Sequence, residues 1–390
     1  MTTHSIRRDA PGTVRPTGLD EAASALADTS GRVLIKGSGT ATDWAGRTRP
    51  PELVLDTTAM RGVLVHNPGD MTVAVRAGTT LRELNATLAE HGQRLALDAA
   101  RVGEGATLGG LFATGDSGPS ALVYGSLRDL VIGATLVLAD GTVAHTGGHV
   151  IKNVAGYDLT KLVHGSHGTI ALIAELVLRL HPIPSASATV RLECPLTDAP
   201  AAVSAVLTSP LEPVAIEWSS DALLVRLDGR PGALDRRAER LIEVLRSAGP
   251  THRLVDADAD AEWAEHAARV SRPPDDMAIL RVGSRPSRLS PLLTRLCDEL
   301  GARHPVAGLG TGIGTVAVPA TAEAVARAHA AVHAIGGTSV LRTRPDGAEL
   351  PAWGPAPTSV GVLRALIEEF DPNGRLGAGR FSPWLDEVPQ

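Results

Sequence analysis

The chain has 390 residues, of which 43% are hydrophobic and 21% charged, with a formal net charge of −6. That is the balance of a soluble globular protein too long for one ordinary core, so two domains are expected. The missing basic excess argues against a nucleic-acid surface, and two cysteines, Cys194 and Cys297, exclude a disulfide framework and are too few for an iron–sulfur cluster. The amino-terminal MTTHSIRRDAPG has no apolar centre of the kind a signal peptide needs, and no run of about 18 apolar residues offers a membrane span, so a cytoplasmic location is expected. Arginine carries nearly all the positive charge. Lysine occurs only at Lys36, Lys152 and Lys161, each beside a glycine turn.

In chain order, Leu19 to Ala27 has the apolar spacing of a short helix. The apolar run from Val33 then enters a Gly-Ser-Gly-Thr turn, Lys36 to Thr40, whose consecutive amides suit a concave anion nest and so a pyrophosphate. A dinucleotide fingerprint G-x-G-x-x-G would need glycine at 42, where Thr42 stands, and no helix pattern follows, which disfavours a nicotinamide-type unit. Leu53 to Asp56 and Thr72 to Ala77 read as strands. Thr79 to His91 reads as an amphipathic helix with Leu81, Leu84 and Leu88 on one face, stopped by Gly92. Thr107 is the expected N-cap of a helix over 107–112, with free amides suited to a phosphate.

Residues 105–175 repeat glycine every few positions between apolar runs. Glycine lets backbone amides approach a ligand closely, and several such turns on one scaffold point to a large, flat, anionic ligand, a flavin dinucleotide. Ala113 to Pro119 (ATGDSGP) is a tight turn, Leu127 to Leu138 leads into an ADG hairpin, Asp158 to Val163 is a helical turn, and Ile170 to Leu180 a long apolar strand. The Pro-, Ser- and Ala-rich His181 to Thr189 is read as a domain boundary. Beyond it, strands at 214–218, 222–227, 277–282, 312–318 and 338–343 alternate with helices at 234–248, 288–300 and 321–335, the order of an antiparallel sheet with helices on one face. A helix over 360–370 precedes the turn-rich DPNGRLGAGRF, expected to fold back on the first domain.

Two tempting constellations fail. GDSGP at 115–119 lacks a glycine and the His and Asp context of a protease nucleophile. His164 and His167 in HGSHG lack further ligands and a helical face for a metal. Arg281, Arg285, Arg342 and Arg344 could hold a carboxylate bidentately, although for each alone a solvated role is the default.

The segments ATLGGLFATGDSGP (106–119), YGSLRDLVIGATLVLADG (124–141), KNVAGYDLTKLVHGSHGT (152–169), WGPAP (353–357) and DPNGRLGAGRF (371–381) resemble the vanillyl-alcohol oxidase/PCMH flavoprotein superfamily, and within it the E subunits of bacterial glycolate oxidases. The resemblance implies an α+β chain: a PCMH-type FAD-binding domain of two α/β subdomains over 1–184, an α+β cap with an antiparallel sheet over 185–355, and a carboxy-terminal segment, 356–390, returning to the first domain. It implies FAD held by Lys36, Gly37, Ser38, Gly39 and Thr40 at the pyrophosphate. Thr107, Leu108, Gly109, Gly110, Ala113, Thr114, Ser117, Gly118 and Pro119 would line the dinucleotide. Gly168, Thr169 and Ile173 would pass the adenine side or the flavin ring, with Tyr157, Asp158 and Lys161 at the isoalloxazine edge. Covalent members attach flavin through His or Cys near these loops. Neither occurs in 36–46 or 106–126, so the FAD is expected to be non-covalent.

The chain departs from the family pattern in having Asp116 near the cofactor, Ala378 in place of a proline, and only His304 where related 2-hydroxy-acid dehydrogenases carry a catalytic histidine and metal cluster. No general base is visible and no metal is expected. The implied activity is FAD-dependent oxidation of a 2-hydroxy acid, glycolate to glyoxylate. Electrons would pass to a partner, a second flavoprotein subunit and an iron–sulfur subunit, with membrane association only through those partners. The alternatives are a self-sufficient flavin dehydrogenase or oxidase, and a non-catalytic scaffold subunit.

Overall fold

The computed structural model describes residues 12–149 and 158–386, so Lys152 and Tyr157 lie outside the described residues. The amino-terminal part is built on two sheets. Val33–Lys36 pairs in parallel with Leu53–Asp56, which also takes Gly12–Val14 in parallel. Behind it is a five-stranded antiparallel sheet in the order Val63–Asn67, Thr72–Arg76, Leu172–Arg179, Val131–Val137, Val143–Gly147. Its long central strand, Leu172–Arg179, is apolar along most of its length because both faces are covered.

Local chemistry fixes the helices. Thr80 and Glu83 form a reciprocal capping box that starts the helix Leu81–Ala89. Its Leu81, Leu84 and Leu88 are buried against the sheet, and Gly92, at φ 68°, turns the chain away beyond its end. Thr107 caps Leu108–Ala113 by accepting from the Gly110 amide, and Leu108, Leu111 and Phe112 are fully buried in the same core.

The carboxy-terminal half carries an eight-stranded, wholly antiparallel sheet. Its order is Thr251–Leu254, Ala186–Glu193, Ala222–Gly229, Ala215–Ser219, Arg303–Gly308, Ile313–Pro319, Met277–Gly283, Thr338–Thr343. Alternation along its strands sorts the two faces. Val190, Ile216, Trp218, Leu280, Val316 and Leu341 point into a core shared with the helices Ala199–Leu207, Pro231–Leu245, Pro286–Leu300 and Ala322–Ala334. The residues between them, including Glu217, Arg226, Arg281, Thr315 and Arg342, face the first domain.

Several elements differ from the sequence reading, among them the unexpected strands Thr251–Leu254 and Arg303–Gly308. The expected boundary 181–189 already enters a cap strand, Ala186–Glu193, because its small residues alternate inward and outward. A helix, Asp256–Ser271, lies where none was expected. Of its residues only His266 is buried, so it has no apolar stripe to reveal it. It lies on the sheet face opposite the other four helices: Trp263 donates to Thr189, and Arg191 pairs with Glu262. It packs against the turn Ala100–Glu104 of the first domain.

After the helix Val360–Phe370 the chain returns to its beginning. Leu376 bridges Val33 in parallel, and the buried Arg375 guanidinium donates to the carbonyls of Leu26, Gly31 and Ala139 at 2.9, 3.2 and 2.9 Å. Arg375→Leu leaves these carbonyls without their donor. The expected loss is roughly 3 kcal/mol of unfolding free energy, read as a fall in the urea midpoint with an unchanged slope.

Candidate functional site

The turn after Val33–Lys36 opens into a cleft between the two amino-terminal sheets and the returning tail. The amides of Ser38, Gly39, Thr40 and Ala41 make no hydrogen bond among the described residues. They form a concave run of free donors. Gly39 has φ 85°, and a Cβ there would lie 2.7 Å from Lys36 Cε. A Cβ on Gly37 would lie 2.3 Å from Thr107 Oγ1, so the turn requires glycine at both places. Lys36 is exposed and has no ion-pair partner among the described residues.

The cavity gathers Lys36, Gly37, Ser38, Gly39, Thr40, Thr107, Gly109, Gly110, Ala113, Thr114, Gly168 and Ile173. Other expected site residues fall elsewhere. Leu108 is fully buried in the core, and Thr169 is buried with its hydroxyl on the Ser166 carbonyl. Ser117, Gly118 and Pro119 line a second cavity under the cap. Asp158 and Lys161 pair with each other at 3.6 Å, and Asp158 also takes the Thr160 amide, away from both cavities. The expected free amides at the start of Leu108–Ala113 are also not free: Leu108, Gly109 and Gly110 donate to Thr79 O, Ala77 O and Thr107 Oγ1. The anion nest therefore falls on 38–41 alone.

The sequence reading missed Arg101, His167 and Arg380, which complete the wall. Arg380 stands in the GRF tail and holds the turn by donating to the carbonyls of Thr42, Trp44 and Gly46 at 2.8, 2.7 and 3.2 Å. Arg101 carried no local signal, since it is brought in by long-range packing. Its guanidinium donates to Thr40 Oγ1 at 2.9 Å, Thr114 Oγ1 at 2.8 Å and Asp116 Oδ2 at 3.0 Å.

Asp116 is the centre of the arrangement. It is 1% exposed and its other oxygen takes Arg342 from the cap sheet at 2.6 Å. Burial alone would raise this carboxyl, but Arg342, Arg101 and Arg281 outweigh it and hold it below the ordinary carboxylate value. Both guanidinium carbons, of Arg101 and Arg342, lie over the Trp44 indole at 4.0 and 3.9 Å. Burial lowers Arg342 to about 9, with Asp116 opposing the shift. Arg281 makes no hydrogen bond among the described residues and lines both the cavity under the cap and a more open one toward Trp353, Phe381 and Trp384. Three guanidinium groups thus surround one carboxylate. Asp116→Asn leaves them uncompensated, and the expected cost is about 3–5 kcal/mol of stability, measured by denaturant unfolding.

The histidines of HGSHG are held neutral. Burial lowers His167 from 6.5 to about 3, helped by Arg380, Arg101, Arg342 and Arg281. Burial, Arg128 and Lys161 lower His164 from 6.5 to about 4. A neutral buried histidine contributes stability that is complete above the unfolded value of 6.5 and is lost as pH falls toward the folded value. The melting temperature is therefore expected to fall from pH 6.5 toward pH 4, with His167→Gln showing a shallower slope. Glu217, raised by burial, acts in the opposite direction, so it is the difference between the two proteins that isolates His167.

Residues 10–147 match the family model described as an FAD binding domain. The amino-terminal part is thus similar to an FAD-binding domain. Among curated relatives it is similar to the glycolate oxidase subunit GlcE of Escherichia coli (strain K12), 35% identical over 187 residues, 48% of this chain and 53% of that one. It is also similar to the mitochondrial D-lactate dehydrogenase [cytochrome] of Arabidopsis thaliana, 41% identical over 158 residues, 40% of this chain and 27% of that one. The matches span about half or less of these relatives' length. Among solved structures, an alkyldihydroxyacetonephosphate synthase shares the fold over 94% of this chain and 75% of its own, with a TM-score of 0.69 at 17% identity. No helix of the described residues is long and apolar enough to cross a membrane, and no group of three or more His, Cys, Asp or Glu side chains among them could hold a metal ion.

Proposed function

We propose that this chain is the FAD-binding subunit of a glycolate oxidase-like complex that oxidises a 2-hydroxy acid, as in glycolate to glyoxylate. Electrons would pass from the flavin to a second flavoprotein subunit and an iron–sulfur subunit. The observation that carries this reading is the run of amides at 38–41, unbonded among the described residues, beside Lys36, unpaired among them, a donor set made for two phosphate charges. The residues fit the cofactor. Thr107, Gly109, Gly110, Ala113, Thr114, Gly168 and Ile173 supply a narrow wall beside the nest. Arg101 ties that wall to Thr40.

When bound, FAD supplies the two-electron acceptor for hydride leaving the hydroxyl-bearing carbon. The chain's own part is to hold the cofactor and to orient the acid. Arg281, with no side-chain acceptor among the described residues, is the guanidinium available for the substrate carboxylate, while Arg342 is committed to Asp116. The partners are inferred from the relative named as a glycolate oxidase subunit and from a chain with only two cysteines. Any association with a membrane would come through them.

Reconstitution tests the reading. The purified chain should take up FAD, and Lys36→Ala should weaken that binding about tenfold, followed by quenching of flavin fluorescence. Unchanged affinity removes Lys36 from the site. Acid precipitation should release the flavin to the supernatant. Flavin left on the pellet would mean a covalent bond, with His167 the histidine on the cavity wall. Loaded protein that glycolate or D-lactate bleaches only when partner chains are added supports the subunit reading. Bleaching without partners would make the chain self-sufficient, and failure to take up flavin would make it a scaffold.

A further inference from the structure

The amides at 38–41 can take an anion only while the loop that carries them keeps its shape, and much of what holds that loop comes from the cap. Directly after the nest the chain runs through Asp43, Trp44 and Ala45. Ala45 is fully buried and left-handed, at φ 61°. A residue with a Cβ keeps that conformation only where its surroundings over-determine it. Here the surroundings include the cap's edge strand, Thr338–Thr343, and the residue just past it. The Ala45 amide donates to the Leu341 carbonyl at 2.8 Å. Arg344 donates to the Asp43 carbonyl at 3.0 Å and to the Ala45 carbonyl. Arg342 lies over the Trp44 indole.

A second line of contact reaches the nest itself. Arg342 donates to one oxygen of Asp116, Arg101 donates to the other, and Arg101 also donates to the hydroxyl of Thr40, whose amide belongs to the nest. The remaining nitrogen of Arg101 donates to Thr114 Oγ1. A planar guanidinium with all three nitrogens bonded has one orientation, so Thr40 is fixed relative to Asp116. Leu341, Arg342, Arg344 and Asp116 do not line the cleft at the nest. They reach it only through the loop.

We propose that the cap's edge strand is a positioning element of the anion nest: Arg342 and Arg344, from outside the cleft, set how tightly residues 38–41 hold a diphosphate. The inference rests on the cofactor reading above and adds that the amino-terminal domain alone does not form the finished site. A loop released from the cap samples other shapes, and only the fraction in the binding shape takes ligand, so the apparent affinity falls by that fraction.

Two probes separate this inference from the cofactor reading. Inorganic pyrophosphate, followed by calorimetry, tests the nest, and FAD, followed by flavin fluorescence, tests the cofactor. In the full chain, Arg342→Met and Arg344→Met should each weaken pyrophosphate binding about fivefold. Arg342→Lys, which keeps a cation against Asp116, should recover most of the loss. Thr40→Val should weaken binding about fivefold in the native chain and under about twofold on top of Arg342→Met, because the two lie on one line of contact. Arg94→Met is the control for domains that have merely loosened. It breaks the Arg94–Asp228 bond, 3.0 Å across the same interface and away from the nest, and should leave pyrophosphate binding within about twofold. A loss in either cap variant that Arg94→Met does not share supports the inference, and Arg344→Met decides alone should Arg342→Met fail to fold. Unchanged affinity in both cap variants, or an equal loss in Arg94→Met, overturns it, and so does a native chain that binds no pyrophosphate. If pyrophosphate binds and responds as stated while FAD is not taken up, the nest keeps its support from the cap and the cofactor reading ends.

Discussion

One buried carboxylate holds the two halves of this molecule in register. Asp116 comes from a turn of the cofactor domain, Arg101 from the same domain, and Arg342 from the edge strand of the cap sheet. Removing charges from water costs several kcal/mol per ion, so such a group survives only when its bonds are complete. Here Arg101 and Arg342 satisfy one oxygen each, and Trp44 covers both guanidinium groups. Because Arg101 also bonds Thr40, the position of the anion-binding turn is mechanically tied to the position of the cap.

The same cluster carries more positive than negative charge. Arg281 adds a third guanidinium near Asp116 and has no side-chain acceptor among the described residues. In a low-dielectric setting an unbalanced cation favours an anionic ligand nearby. The cap sheet is divided by chemistry, with polar and charged side chains on the face toward the first domain and the helix Asp256–Ser271, and apolar ones on the other. That division follows from strand alternation, which sends Glu217, Arg226, Arg281, Thr315 and Arg342 to one face and the apolar core to the other.

The glycine turns and the antiparallel cap sheet were legible in the sequence, and the arginine cluster between them and one cap helix were not. Glycine turns announce themselves because only glycine fits the left-handed backbone at Gly39 or the close contact of Gly37 with Thr107. Capping residues such as Thr80 and Thr107 are equally local. Arg101 and Arg342 are ordinary arginines until packing brings them to Asp116 from 15 and 226 residues away in the chain. The helix Asp256–Ser271 was invisible for a different reason. Its sequence is polar on nearly all sides, and it stands because it spans the cap sheet and the first domain rather than burying an apolar stripe. The small residues at 186–189 looked like a linker because Ala and Ser are common to both linkers and strands.

The bond between chain start and chain end has a consequence for biosynthesis. Leu376 closes beside Val33, and Arg380 grips the carbonyls that shape the loop following Thr40. Chains emerge amino-terminus first and their domains fold as they appear, but this domain lacks one wall until Leu376 and Arg380 have left the ribosome. Flavin uptake must therefore wait for the segment 375–381, and a chain cut short before it is without the grip that would retain the coenzyme.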